Sequence, residues 1–250
     1  MTYLAHTAHS QFCALWMAFT GWTLTAVALG LIQWRVWLVS GTGVITSGVA
    51  WVGIWRACFN SYTDVSEGLR NMHCSYISLQ EVFTPPEIAA GQVLMLLSLL
   101  VGLCGSAGGV YAMRKAYFGL ENSIRLCFIS TGVLCLLAAV LALVPLLWNL
   151  SSVVTNQTIA FPPEFEFPRA PESQQVGGGI GVGIVGSVLM IVSGIVFCSY
   201  KLPERTIPMM LHSVLEQLHQ STSSASGPND HKAVIPSGKD NPAFDMAEYF

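Results

Sequence analysis

Four uninterrupted apolar runs divide this chain: Phe12 to Ile32, Val93 to Met113, Cys127 to Leu147 and Ile180 to Tyr200, each of 21 residues and none containing Asp, Glu, Lys, Arg or His. At about 1.5 Å per helical residue, each run matches a hydrocarbon core of roughly 30 Å. A soluble helix must present a polar face, which these windows lack. The pattern predicts four membrane-spanning helices, an N-terminus at 1–11, connections at 33–92, 114–126 and 148–179, and a tail at 201–250. Within the first connection the periodicity changes. Trp34 to Val39, Val49 to Trp55 and Cys74 to Leu79 are rich in β-branched and aromatic residues, and Gly41, Gly43 and Gly48 punctuate the first interval. The expected fold class is therefore a mainly α membrane protein, a four-transmembrane helix bundle with a small extracellular antiparallel β-sheet. A sheet that small buries little apolar surface, so Trp34 and Trp55 are expected to brace it against the membrane surface.

Charge sets the expected orientation. Arg114, Lys115 and Arg125 lie between spans two and three, and Lys201 and Arg205 open the tail. Retention of basic residues on the cytoplasmic side places both termini inside and residues 33–92 and 148–179 outside. The second outer loop carries two glycosylation acceptors, Asn149-Leu150-Ser151 and Asn156-Gln157-Thr158; Asn149 abuts the bilayer, which makes Asn156 the better candidate. The first apolar run exceeds the core of a signal peptide and has no Lys or Arg before it, so it reads as a retained span. Seven cysteines divide by location. Cys13, Cys104, Cys127, Cys135 and Cys198 lie in or beside spans as packing residues, while Cys58 and Cys74 alone face the oxidising side. A disulfide between them would contribute on the order of 3 kcal/mol by chain-entropy reasoning; two free thiols are the alternative.

These residues carry a resemblance. The succession Trp34, Gly53-Ile54-Trp55, Cys58 and Cys74 resembles the signature of the claudins and their tetraspan relatives, the PMP22/EMP/MP20/claudin group. Gln92-Val93-Leu94-Met95 is similar to the claudin start of span two, and Pro145 with Trp148 is similar to the ending of span three. Ile54 for Leu, Gln92 for Arg, a longer interval between the cysteines and the absence of a Phe-Tyr-Asn-Pro motif mark a divergent member. The resemblance implies a tight-junction protein at the plasma membrane. It implies association with itself and with other claudins, in cis and in trans, and a paracellular barrier or pore lined by the first loop. The spans agree, since transporters carry ionisable residues along an internal path and these windows have none. A non-junctional relative, an epithelial or myelin membrane protein or an auxiliary channel subunit, is the alternative.

Further candidates are narrower. Asp64 and Glu67, between the cysteines, are candidates for paracellular selectivity or simple solvated turn residues. Phe161, Phe165 and Phe167 sit in a proline-stiffened stretch and either contact a molecule in trans or pack back onto the sheet. Cys198 is a candidate for palmitoylation. In the tail, Met210, Leu211, Val214, Leu215 and Leu218 fall at helical spacing and form either a short interfacial helix that would meet membrane lipid or an extension of span four after the break at Pro203. Glu248-Tyr249-Phe250 ends in the form captured by PDZ scaffolds. Gly181-Val182-Gly183-Ile184-Val185-Gly186 matches a dinucleotide fingerprint but opens a span with no preceding strand, so its glycines are read as helix-packing positions, as are Gly179 with Ser187, Gly102 with Ser106 and Gly105 with Gly109. His73 has no second histidine in an outer loop to build a zinc site. With no nucleophile or metal motif the chain is not expected to be an enzyme or to need a cofactor, and a net charge of −3 argues against nucleic acid.

Overall fold

The computed structural model describes residues 9–39, 48–62, 70–118, 123–165, 167 and 170–200. Four helices are long and apolar enough to cross a membrane: α1 (His9–Gly30), α2 (Pro86–Phe118), α3 (Ile124–Val154) and α4 (Gly178–Cys198). They form a ring in which α1 packs on α2, α2 on α3, α3 on α4, and α4 on α1. Two helices overrun their apolar windows. α2 starts seven residues before Val93, with Pro86 at its first position, where the missing N–H is harmless; α3 continues seven residues past Leu147. The extension is rich in Asn, Ser and Val, which are poor helix formers, and is held by hydrogen bonds of Asn149 and Ser152 to Glu87 of α2; Trp148 and Asn149 thus belong to α3 and not to a loop.

The bundle is inverted relative to a soluble one. Its interior line on α2 is Gly91, Met95, Ser98, Gly102, Gly105, Gly109 and Ala112, all buried, while Leu96, Leu97, Leu100 and Leu103 face outward. Lipid tails are as apolar as leucine, so association rests on close packing and interhelical hydrogen bonds. Trp22 Nε1 donates to Leu99 O at 2.9 Å, Ser98 Oγ to Ala138 O at 2.7 Å and Ser193 Oγ to Ala14 O at 2.7 Å, tying α1 to α2, α2 to α3 and α4 to α1. The recurring glycines serve this packing. A Cβ on Gly183 would meet Leu146 Cδ2 at 2.6 Å, one on Gly102 would meet Trp22 Cδ1 at 2.8 Å, and one on Gly109 would meet Leu15 Cδ1 at 2.8 Å.

A five-stranded antiparallel sheet stands on one end of the bundle: β1 (Arg35–Leu38), β2 (Val49–Val52), β3 (Arg56–Tyr62), β4 (Arg70–Tyr76) and β5 (Ser173–Val176), in the order β4-β3-β2-β1-β5. Two strands depart from expectation. The third, Arg56–Tyr62, carries Asn60 and Ser61 and shows weak apolar alternation, and the fifth comes from the second connection as the polar segment Ser-Gln-Gln-Val. The third expected run stops being a strand at Tyr76.

Candidate functional site

The sheet is seated on the bundle through buried side chains. Trp34, 1 % exposed, donates from Nε1 to Ala28 O at 2.8 Å, closing the end of α1. Gly179 lies against that indole, where a Cβ would come within 2.7 Å of Trp34 Cδ1. Trp34 is thus locked between α1 and α4 and does not lie on the membrane surface; its ring fills the gap that two small-residue helix ends leave. Gly53 permits the turn between β2 and β3 to touch the chain leaving α1: its N–H donates to Arg56 O at 2.8 Å, and a Cβ there would sit 2.9 Å from Ile32 Cα. Ile54 is buried against Gly91 of α2, and Trp55 is half-buried at the edge of the same core. The Gln92 amide donates both protons, to Ile54 O at 2.6 Å and Ile77 O at 2.9 Å, pinning both ends of the β3–β4 hairpin to α2.

Beside this seat lies a buried charged cluster. Arg35 Nη2 donates to Glu87 Oε1 at 3.0 Å and to Asn149 Oδ1 at 2.9 Å. Ser152 Oγ donates to the same Glu87 oxygen at 2.8 Å, and Asn149 Nδ2 donates to Glu87 O and Pro145 O at 2.8 and 3.0 Å. One strand and two helices are joined by it. Burial pushes the Arg35 guanidinium below its usual value, and the Glu87 carboxylate opposes that by hydrogen bond and charge.

Above the seat, Cys58 and Cys74 face each other across β3 and β4 and are joined by a disulfide closing a separation of 16 residues. Arg56 lies over the Tyr76 ring on the same hairpin, 5.1 Å from its centroid, and His73 stacks on Phe59 at 5.7 Å. Among the described residues no three His, Cys, Asp or Glu side chains gather as a metal site would require.

The other sequence candidates are distributed as follows. Phe165 is 7 % exposed, and Phe161 and Phe167 are half-buried. Phe161 and Phe167 lie 5.4 and 6.0 Å from Trp37, Phe167 lies 5.6 Å from Phe59, and Phe165 lies 5.1 Å from Phe83. Of the two readings open for this stretch, contact in trans or packing back onto the sheet, the ring contacts favour packing back: Phe165 is part of the core beneath the sheet, and Phe161 and Phe167 pack against it. Phenylalanine next to a small sheet gains more by covering its apolar face than by meeting water. Asn149 is corrected as a glycosylation candidate, because it is 1 % exposed and its amide is consumed in the cluster. Asn156 is exposed just past the end of α3. Cys198 is half-buried, with Sγ directed towards Ile129 O at 4.0 Å. Asp64, Glu67, Gly41, Gly43, the helical spacing around Met210 to Leu218, and Glu248, Tyr249 and Phe250 lie outside the described residues.

A family model described as PMP-22/EMP/MP20/Claudin tight junction matches residues 19–199, from within α1 to the end of α4. The chain belongs to the claudin family. Among its relatives are claudin-3 of Rattus norvegicus, 29% identical over 186 residues covering 73% of this chain and 78% of that one. Claudin-4 of Chlorocebus aethiops is 26% identical over 200 residues, covering 78% and 88% respectively. Claudin-2 of Canis lupus familiaris is 25% identical over 178 residues, 70% of either chain. In this claudin-family chain the tryptophan and the Gly-Ile-Trp segment are thus the attachment of sheet to bundle. The cluster of Arg35, Glu87, Asn149 and Ser152 went unread in the sequence, where Arg35 and Glu87 counted as loop charges. The available signal was an arginine set inside an otherwise apolar strand run, with one carboxylate in the first turn of α2.

Proposed function

We propose that this claudin-family chain is a tight-junction protein whose sheet stands outside the plasma membrane, both termini being cytoplasmic. Its molecules associate side by side and with those of the apposed cell, setting paracellular permeability. The observation carrying this reading is that both outer loops are spent on one platform. The second connection donates β5 to a sheet whose other strands come from the first, and among the described residues the outer strands, β4 and β5, pair with a strand on one side only, which suits the other side to neighbouring molecules. The four apolar windows hold no Asp, Glu, Lys, Arg or His for a path through the bundle, which favours permeation between molecules. Expression in cells lacking other claudins tests it: freeze-fracture should show continuous strands, and transepithelial resistance should change. Scattered particles with unchanged resistance would place the chain among the non-junctional members of its family, as an epithelial or myelin membrane protein or a channel subunit.

Two finer readings accompany it. Arg35 and Glu87 neutralise each other inside the protein, which leaves Asp64, Glu67 and Glu81 against Arg56 and Arg70 as the charges of the outer segment, three minus two. Asp64 and Glu67 then bias the pathway towards cations, and Asp64→Asn with Glu67→Gln is expected to lower the sodium-to-chloride permeability ratio in dilution-potential measurements. The terminal Glu248-Tyr249-Phe250 offers an apolar side chain and a free carboxylate to a PDZ scaffold. Calorimetric titration of the last ten residues into such domains should give saturable binding that a Phe250→Asp peptide loses.

A further inference from the structure

α3 ends in a Schellman arrangement. Gln157 N donates to Ser152 O at 3.0 Å and Asn156 N to Val153 O at 3.1 Å, with Asn156 at φ 54, a left-handed conformation that asparagine tolerates better than most residues. That accounts for the backbone of Asn156 and leaves its side chain unused: the amide is exposed, and so are Gln157 and Thr158, which complete an Asn-x-Thr acceptor. The seven residues by which α3 overruns its apolar window raise this turn by about 10 Å from the end of the hydrocarbon run. The competing acceptor seven residues earlier in the chain is closed off, because its Asn149 amide donates to Glu87 O and Pro145 O inside the buried cluster. The position of the turn has a consequence for the sheet. Gln174 Nε2 of β5 donates to Gln157 O at 3.0 Å, so the turn is fastened beside the exposed strand that ends the sheet.

We propose that Asn156 carries an N-linked oligosaccharide and that this glycan screens the β5 edge, which pairs with no further strand among the described residues, directing lateral association to the opposite edge. The modification rests on the outward orientation of the sheet proposed above. In it, the Asn156 Nδ2 forms a bond to the anomeric carbon of a lipid-linked oligosaccharyl pyrophosphate as the carbon–oxygen bond to the pyrophosphate breaks. The amide gives up one proton and the lipid pyrophosphate leaves with the bonding electrons. A bulky solvated group at this place covers a strand edge, one of the ways proteins keep such edges from pairing.

The test uses the full chain in epithelial cells. Peptide N-glycosidase F should produce one downward step in gel mobility. Thr158→Ala should abolish that step while retaining Asn156 and its helix end. Ser151→Ala, which destroys the other acceptor and leaves the buried Asn149 in place, should preserve it. Gln175→Cys, at an exposed position of β5, should form disulfide-linked dimers weakly in the glycosylated chain and several-fold more in the Thr158→Ala background. No mobility step, or a step lost with Ser151→Ala alone, overturns the modification; equal cross-linking in the two backgrounds overturns the screening. Fully exposed Val82 supplies the separate check on orientation. If Val82→Cys reacts with a membrane-impermeant maleimide on intact cells while the step is absent, the glycan falls and the orientation stands. If Val82→Cys is unlabelled on intact cells, both fall.

Discussion

Arg35 is an ion with 1 % of its surface exposed, held by one carboxylate and one amide oxygen at the junction of β1, α2 and α3. Such an arrangement is asymmetric in energy. Removing one partner strands the other charge in a dry place, at about 3 to 5 kcal/mol, whereas replacing both with apolar groups of similar volume can be neutral. Arg35→Met is therefore expected to lower the thermal unfolding midpoint of detergent-purified protein sharply and to reduce delivery to the cell surface. Arg35→Met with Glu87→Leu should recover most of the loss, and a double change as damaging as the single one would contradict this account. Gln92 follows similar logic without charge, since its two donors satisfy two carbonyls that the hairpin cannot pair itself. At this scale the sequence was only partly legible. Trp34, Gly53 and Trp55 stand out because their types are rare and their order is characteristic. The partner of Arg35 lies 52 residues away, and no periodicity links two such positions.

Helices and strands differ in how far their sequences announce them. All four spans were readable because hydrocarbon excludes charge, so one compositional rule covers every position of a window. Their ends were not, because Pro86 to Gln92 and Trp148 to Val154 contain polar residues that are nonetheless helical, bonded to the sheet or buried beneath it. β5 was unreadable for another reason: an edge strand buries almost nothing, and Ser-Gln-Gln-Val has no apolar alternation to betray it. The packing of α1 on α4 yields a firm prediction. A Cβ on Gly21 would meet Gly186 O at 2.6 Å and Met190 N at 3.1 Å, so the obstacles include backbone that cannot rotate away. Gly21→Ala should force the two helices apart and cost about 1 to 3 kcal/mol, as overpacking does. Gly181→Ala, on the same α4 with nothing within 4 Å of its Cβ, should leave the midpoint unchanged in the same melting assay. Equal effects would mean that helical propensity, and not contact, decides the outcome.

At the scale of the whole molecule, the connection between α1 and α2 and that between α3 and α4 behave as one body fixed at three levels. The disulfide holds β3 to β4, the Arg35 cluster and Gln92 hold the sheet to α2 and α3, and the phenylalanines of the second connection fill the space beneath β1 and β3. A surface so braced can dock on neighbours with little ordering entropy still to lose, which is what repeated side-by-side assembly requires. Phe165 decides between this picture and one in which the second connection is a free adhesive finger. If its ring is core, Phe165→Ala should lower the unfolding midpoint by an amount equivalent to about 3 to 5 kcal/mol, before any contact between cells exists. The ring it leans on, Phe83, lies 5.1 Å away at 70°. The cycle of Phe165→Ala and Phe83→Ala, singly and together, should then show a coupling of about 0.5 to 1.5 kcal/mol in isolated protein, the range for edge-to-face pairs. A residue reserved for the partner cell would give the opposite pattern, with an unchanged midpoint, no coupling to Phe83, and a loss seen only as weaker enrichment at contacts between two expressing cells.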